Sequence, residues 1–351
     1  MSELVPDSEH VPANLLADVR ALIEEARRQT SAAVNVGMTL TYWRVGQRIR
    51  VDVLGGTRAA YGEHIVSTLS RQLTADYGRS FSTKNLRHMM RFAESFSDVG
   101  IVSALSRQLS WSHFLEVLYQ PDPLKRDFYA EMCRIERWSV RTLRERIGSM
   151  LFERTAISRQ PEALIRQELD ILRQTGAVSA PLLLKDPYVL DFLGLRDRYL
   201  ERNLEDAILR ELENFLLELG AGFSFVARQK RIQLDNDDFY IDLLFYNRKL
   251  KRLVAVELKM DDFRPEHKGQ MELYLRWLAK HETEAGEAPP LGIILCSGKK
   301  QEQIELLELG TSGIHVAEYL TVLPPPEVLR EKLHAAIESA RARIDAGPRE
   351  E

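Results

Sequence analysis

The chain has 351 residues, 44% of them hydrophobic and 28% charged, which suffices for two domains with buried cores. Its formal net charge is -4, so bulk charge gives no support to nucleic-acid binding, and any such contact must come from a local basic patch. The two cysteines, Cys133 and Cys296, lie far apart, which argues against a disulfide framework and a cysteine-based zinc site and fits a reducing cytoplasm. The start of the chain is polar and acidic rather than signal-like, and no apolar run approaches the roughly 18–20 residues of a membrane span, so no membrane role is expected.

Residues 1–12 read as a loose tail, and 13–155 as a helical domain. Leu15, Val19, Leu22 and Ile23 recur at helical spacing, and Gly55-Gly56 breaks the pattern. Tyr61 to Tyr77 predicts a helix that stops at Gly78, a C-cap residue. Ser82 or Thr83 then caps a second helix, with Leu86, Met89, Met90 and Phe92 inward. This segment carries Arg79, Lys84, Arg87, His88 and Arg91 with no acid between them. Helix, turn and basic helix form the layout of a helix-turn-helix, whose second helix enters the major groove. Lys84, Asn85, Arg87, His88 and Arg91 are expected on its exposed face, where Arg and Asn read guanine and adenine edges. The competing reading is a solvated basic helix in an ordinary bundle. Ser112-His113 has no acid at a defined spacing, so a hydrolase dyad is not expected there.

Residues 156–199 read as a connector, with a helix from about Pro161 to Arg173. From 200 the rhythm changes. A helix over Leu204 to Leu219 precedes strands near 223–234, 238–247 and 251–259. A helix near 265–281, a strand over Leu291 to Cys296, a helix near 300–308 and a strand at 314–318 follow. The span 200–325 is therefore an α/β domain, and 326–351 a C-terminal helix and tail.

Two of these strands carry charge that apolar strands do not ordinarily hold. Phe239 to Tyr246 contains Asp242, and Leu253 to Lys259 ends in Glu257-Leu258-Lys259. Burying an ionised carboxylate costs several kcal/mol or more without a partner. By alternation, Glu257 and Lys259 share a face with Leu253 and Ala255, and Asp242 shares one with Tyr240 and Leu244. The short polar Asn247 to Leu250 predicts a hairpin that brings Asp242 near Glu257, where a cation would relieve their repulsion. Mg2+ or Mn2+ is the expected cofactor, because hard cations take carboxylate oxygens and metal-assisted phosphodiester hydrolysis needs them. Asp242, Glu257 and the Leu258 carbonyl are the candidate ligands, and Lys259 would position water or stabilise charge. Glu205 borders an amphipathic helix stripe and could reach the metal directly or through water. Gln270 and Tyr274 are i, i+4 neighbours on the next helix, and Gln270 could hold Lys259, water or phosphate. Each acid alone is an ordinary surface or edge residue; their order together carries the reading.

That order resembles the PD-(D/E)XK nuclease superfamily. Asp238 to Tyr246, Val256 to Lys259, Gly269 to Tyr274 and Leu291 to Cys296 look like the YhcG-type family of bacterial PD-(D/E)XK proteins. The likeness extends to Tyr42-Trp43-Arg44-Val45-Gly46, Arg58 to Gly62, Asn85-Leu86-Arg87 and Leu105 to His113, similar to that family's N-terminal domain. Asp242 follows Ile241 rather than Pro, which removes no ligand. The resemblance implies a restriction-endonuclease-like core with a central mixed sheet, an α+β chain overall, divalent-metal dependence and a DNA substrate. A metal-dependent DNA endonuclease acting as a dimer is the resulting expectation. Its rivals are a branched-DNA or RNA nuclease with the same centre, and a non-catalytic DNA-binding protein on a nuclease fold.

Overall fold

The computed structural model describes residues 13–54, 59–193, 201–220, 222–234, 237–309, 312–321 and 324–346. The tail expected over 1–12 and the Gly55-Gly56 break lie outside the described residues, as does the end of the chain after 346. The chain divides into two compact units, Met1–Arg144 and Glu145–Glu351.

The first unit is helical: α1 (Ala13–Leu54), α2 (Ala59–Tyr77), α3 (Thr83–Ser95), α4 (Val99–Ser106), α5 (Trp111–Val117), α6 (Pro123–Glu136) and the start of α7 (Val140–Gly148). α2 ends at Gly78, whose φ of 88° only glycine adopts at little cost. The Ser82 side chain accepts from the Asn85 amide and caps α3. Tyr42 and Ile49 of α1, Val66 of α2, and Leu86 and Met89 of α3 form one apolar core. Gly46 lets the α3 backbone approach α1 at Met89, where a side chain would collide. His113, singled out beside Ser112, is structural: its Nδ1 accepts from the Ser110 amide (3.0 Å) and its Nε2 donates to the Trp138 carbonyl (3.0 Å).

The second unit opens with α8 (Leu151–Arg154), α9 (Glu162–Thr175) and α10 (Ala180–Leu183). It continues through β1 (Tyr188–Val189), α11 (Glu201–Arg210), α12 (Leu212–Leu219), β2 (Phe223–Leu234), β3 (Asp237–Asn247), β4 (Arg252–Leu258) and α13 (Pro265–His281). β5 (Leu291–Cys296), α14 (Gln301–Leu306), β6 (Ile314–Leu320) and α15 (Pro326–Ala346) complete it. The six strands run β1-β6-β5-β4-β3-β2. β2, β3 and β4 pair antiparallel, and β4, β5, β6 and β1 pair parallel, giving the expected mixed sheet. Leu243, Val254, Val256 and Leu258 pack with Leu204, Ile208, Phe215 and Leu219 of α11 and α12. Leu244, Leu253 and Ala255 pack with Met271, Tyr274 and Leu278 of α13 on the opposite face. The alternation read from β4 therefore holds.

Three local expectations change. The segment expected to be a connector belongs to the second unit. It supplies β1 and, together with Arg154 just before it, buried charges that pair with Glu218 and Lys299 of the sheet domain. Arg154 and Lys185 pair with Glu218 at 2.6 and 3.3 Å, and Asp186 pairs with Arg159 and Lys299. Buried charges of this kind hold a segment in place because exposing one partner strands the other. The single helix expected over Leu204 to Leu219 breaks at Glu211, which leaves helical geometry at φ -107° and ψ 31°. Finally, the side-chain phase of β3 shifts at Asp242: Ile241 and Leu244 share one core, whereas Leu243 and Phe245 share the other. Asp242 thus sits where the strand's alternation shifts phase, within a continuous β3.

Candidate active site

The β3/β4 hairpin is tight because Asn247 Oδ1 accepts from the amides of Lys249 (3.0 Å) and Leu250 (2.9 Å), a side chain standing in for a backbone turn. From there the ladder runs to the pair Leu243↔Val256 and stops. The next rung would be Asp242 and Glu257. In place of ladder bonds, each carboxylate accepts an amide from the other strand. The Asp242 amide donates to Glu257 Oε1 (3.2 Å), and the Leu258 amide donates to Asp242 Oδ2 (2.9 Å). Lys259 follows in place, because its amide donates to the Leu295 carbonyl of β5 (2.7 Å). Its Nζ lies 3.2 Å from Glu257 Oε2. The hairpin therefore brings Asp242, Glu257 and Lys259 together as expected.

Glu257 is 2% exposed. Burial pushes its carboxyl up, the neighbouring Asp242 charge pushes it further, and Lys259 opposes both, leaving it at about 8. The pair presents hard oxygen donors, the chemistry that suits a divalent cation. Among the described residues no three Asp, Glu, His or Cys side chains converge to hold a metal. Mg2+ does not require that many, since it is commonly bound by one or two carboxylates with water and substrate phosphate.

Glu205 is buried on α11, and its two oxygens are held by β2. Its Oε1 accepts from Arg228 Nε (2.5 Å) and its Oε2 from Gln229 Nε2 (3.0 Å). The same Gln229 nitrogen donates to Asp242 Oδ1 (3.0 Å). Gln229 lies opposite Asp242, between the pairs Arg228↔Leu243 and Lys230↔Ile241, and its φ is 44°. That left-handed conformation costs a non-glycine residue about 1–2 kcal/mol and marks a constrained position. Residue type alone gave no sign of it, and Gln229 was not foreseen from the sequence.

On α13, Gln270 Nε2 donates to the Tyr274 hydroxyl (2.6 Å). Tyr274 is buried. Burial raises its phenol, the Gln270 bond opposes that, and the Glu257 carboxylate raises it again. His267, on the first turn of α13, is a second residue missed from the sequence. Burial lowers its imidazole and the Lys259 charge adds to the effect. Its Nδ1 accepts from the Arg264 amide (3.2 Å), which leaves Nε2 as the available nitrogen for a further partner.

In the first unit, Arg79, Lys84, Arg87 and Arg91 are exposed, the last three along one side of α3. His88 is half-buried, with Nδ1 2.9 Å from the Tyr119 hydroxyl, and the Arg91 guanidinium lies 5.0 Å from the Tyr119 ring centre. Asn85 is not on that face. It is turned inward, donating to the Ser80 carbonyl (2.5 Å) and accepting from Trp111 Nε1 (3.0 Å). Both ends of its amide are committed, so it is not placed to read adenine. The sequence suggested otherwise because helical spacing alone cannot tell a flank residue from an exposed one.

Residues 182–334 match the YhcG PDDEXK nuclease domain, and residues 18–154 match the DUF1016 N-terminal domain. The chain is 34% identical over 347 residues to "Putative nuclease YhcG" of Escherichia coli (strain K12), covering 89% of this chain and 91% of that protein. Two solved structures give partial matches. A repair endonuclease from Pyrococcus abyssi is 20% identical with a TM-score of 0.25, over 37% of this chain and 50% of that one. An EndoMS–dsDNA complex is 20% identical with a TM-score of 0.27, over 37% and 48%. The chain spans about half the length of these two structures, and likenesses this distant carry no argument about the site. The long match to the Escherichia coli protein and the two domain matches agree: the chain belongs to the YhcG family, with a DUF1016 N-terminal domain followed by a PD-(D/E)XK nuclease domain.

Proposed function

We propose that this nuclease-family chain is a divalent-metal-dependent DNA endonuclease. The observation that carries the reading is the fork between β3 and β4. Asp242 and the buried Glu257 meet there, each accepting an amide of the other strand, and Lys259 Nζ lies 3.2 Å from Glu257. Asp242, Glu257 and the Leu258 carbonyl would hold Mg2+ or Mn2+. When bound, the ion supplies Lewis acidity toward the scissile phosphate and lowers the pKa of its water. The protein's own groups do the rest. Lys259 places a positive charge beside the carboxylates, where it can orient the attacking water and offset charge that grows on the phosphate. Half-buried Gln270 and buried Tyr274 wall the site on the α13 side, and their hydrogen bond holds that wall in one geometry. The amides of Asp242 and Leu258 fix both carboxylates, so little reorganisation is needed when substrate arrives.

We assign DNA recognition in the first unit to the α3 face of Lys84, Arg87 and Arg91, with Arg79 beside it in sequence. These residues serve phosphate contact, which depends on charge and not on a fitted base edge. Two-strand cutting with one centre per chain requires two copies, so the reading includes a dimer. The free, buried thiols of Cys133 and Cys296 suit a reducing cytoplasm.

The test is cleavage of supercoiled plasmid with Mg2+ or Mn2+, comparing wild type with Asp242→Asn and Lys259→Ala. Metal-dependent nicking by wild type and its loss in both variants is expected. Equal nicking by all three would place the chemistry elsewhere. A wild type that binds DNA but never cuts would favour the non-catalytic reading.

A further inference from the structure

In a regular strand, neighbouring residues project to opposite faces. Arg228 and Gln229 are neighbours on β2, yet both side chains reach the same carboxylate, Glu205. The left-handed φ of 44° at Gln229 is what makes this possible. The break coincides with the rung of Asp242, where β3 also changes phase. Two strands thus depart from regular geometry at one point, and that point is a single side-chain amide.

The hydrogen bonds there form one continuous chain. Arg228 Nε donates to Glu205 Oε1, Gln229 Nε2 donates to both Glu205 Oε2 and Asp242 Oδ1, and the Leu258 amide donates to Asp242 Oδ2. Carboxylates only accept, so the amide orientation is fixed: only the nitrogen of Gln229 can serve both oxygens. Asp242 is gripped on one oxygen from β4 and on the other from β2. Glu205 holds the β2 grip in place and is itself locked by Arg228, which also reaches Asp206 (2.7 Å).

We infer that Gln229 is a positioning residue of the metal site, and that Glu205 acts on the metal through Gln229 and Asp242 and not as a ligand. This rests on the proposed metal site at Asp242 and Glu257. A carboxylate oxygen has more than one lone pair, so accepting an amide hydrogen does not by itself exclude a metal, and metal binding need not break the relay. Groups that orient a metal-bound carboxylate typically change metal affinity about 10–100-fold when removed.

The experiment is Mn2+ calorimetry on the full chain, with thermal unfolding of each metal-free protein and separate kcat and KM for plasmid nicking. Wild type and Asp242→Asn come first. Binding by wild type that Asp242→Asn loses upholds the site; no binding by either overturns the site and the relay together. With the site upheld, Gln229→Ala, Glu205→Gln and the double variant test the relay. Each single variant should weaken Mn2+ about tenfold and lower kcat with KM for DNA little changed. The double variant should be no weaker than the weaker single one, because both act through one chain. Gln229→Gly guards against misfolding, since glycine keeps the left-handed backbone and removes only the amide. It should match Gln229→Ala in Mn2+ affinity while unfolding near the wild-type temperature. Wild-type affinity in Gln229→Gly would overturn the proposal. So would abolished binding in Glu205→Gln beside normal binding in Gln229→Ala, which would make Glu205 a direct ligand.

Discussion

Gly46 and Gly37 lie on the same helix, and an alanine at each should act with opposite sign. A Cβ at Gly46 would strike the Met89 carbonyl and approach Met90 N at 2.9 Å. These are backbone atoms of α3, so no side chain can swing aside. Ordinary contact begins near 3.4 Å, and α1 and α3 must therefore separate. A gap on the order of 0.5–1 Å forfeits a quarter to a half of each dispersion contact across the interface. That loss falls on Tyr42 and Ile49 against Leu86 and Met89. With the steric cost, Gly46→Ala should destabilise the first unit by about 3 kcal/mol. A Cβ at Gly37 meets nothing within 4 Å, and the residue is exposed, so Gly37→Ala should stabilise by about 1 kcal/mol through helix propensity alone. Urea unfolding followed by tryptophan fluorescence resolves this, because three of the four tryptophans, Trp43, Trp111 and Trp138, lie in the first unit, and a Trp277→Phe background removes the signal of the second. Equal midpoints for the two variants would refute the close approach of α1 and α3, and with it the placement of the basic face that α3 carries.

Three further outcomes follow from charge. Glu257 has a carboxyl raised from 4.5 to about 8, so between those values the folded metal-free chain holds a proton the unfolded chain has lost; stability should fall as pH rises through that window and level off above it. Glu257→Gln keeps the acceptor for the Asp242 amide and should flatten this limb in pH-dependent melts, whereas Glu257→Ala strands that amide and should cost about 1–3 kcal/mol. His315 behaves oppositely: burial, then the Lys299 charge, lowers its imidazole from 6.5 to about 4, so stability should be lost as pH falls across that range. His315→Gln retains a donor for the Lys185 carbonyl and should remove that acid limb; an unchanged limb would assign it to another group. Reversing charge at Arg87 and Arg91 should weaken DNA binding and reduce the salt slope by about two units, and an unchanged slope in a salt titration would move the DNA surface off α3.

Much of the second unit was legible because its strands are long enough for period two to register. Val254, Val256 and Leu258 against Leu253, Ala255 and Glu257 sort to opposite faces of β4, and the short Asn247 turn fixes its partner. What was hidden has particular causes. β1 is two residues long, too short for any periodicity, and its place in the sheet is held by buried ion pairs formed by distant residues. Glu211 interrupts a helical pattern that continues unbroken on both sides in apolar spacing. Asn85 has helix-surface spacing, but Trp111 and Ser80 draw its amide inward. Gln229 is the strongest case, because nothing in a glutamine announces a left-handed backbone, and the conformation follows from tertiary hydrogen bonds to Glu205 and Asp242.

The same fork explains why this sheet tolerates a charge pair near its centre. Where antiparallel strands part, the ladder leaves amides that must find acceptors. At the end of β3 and β4 those amides belong to Asp242 and Leu258, and the acceptors are the carboxylates of Glu257 and Asp242. Each acid therefore closes the sheet that exposes it. The exchange is reciprocal, so moving either strand disturbs both carboxylates, and moving either carboxylate frees an amide of the other strand. Site geometry is thereby tied to strand geometry with no flexible loop between them. The Glu257 carboxyl is raised first by its burial and then by the Asp242 charge, and Lys259 offsets them in part.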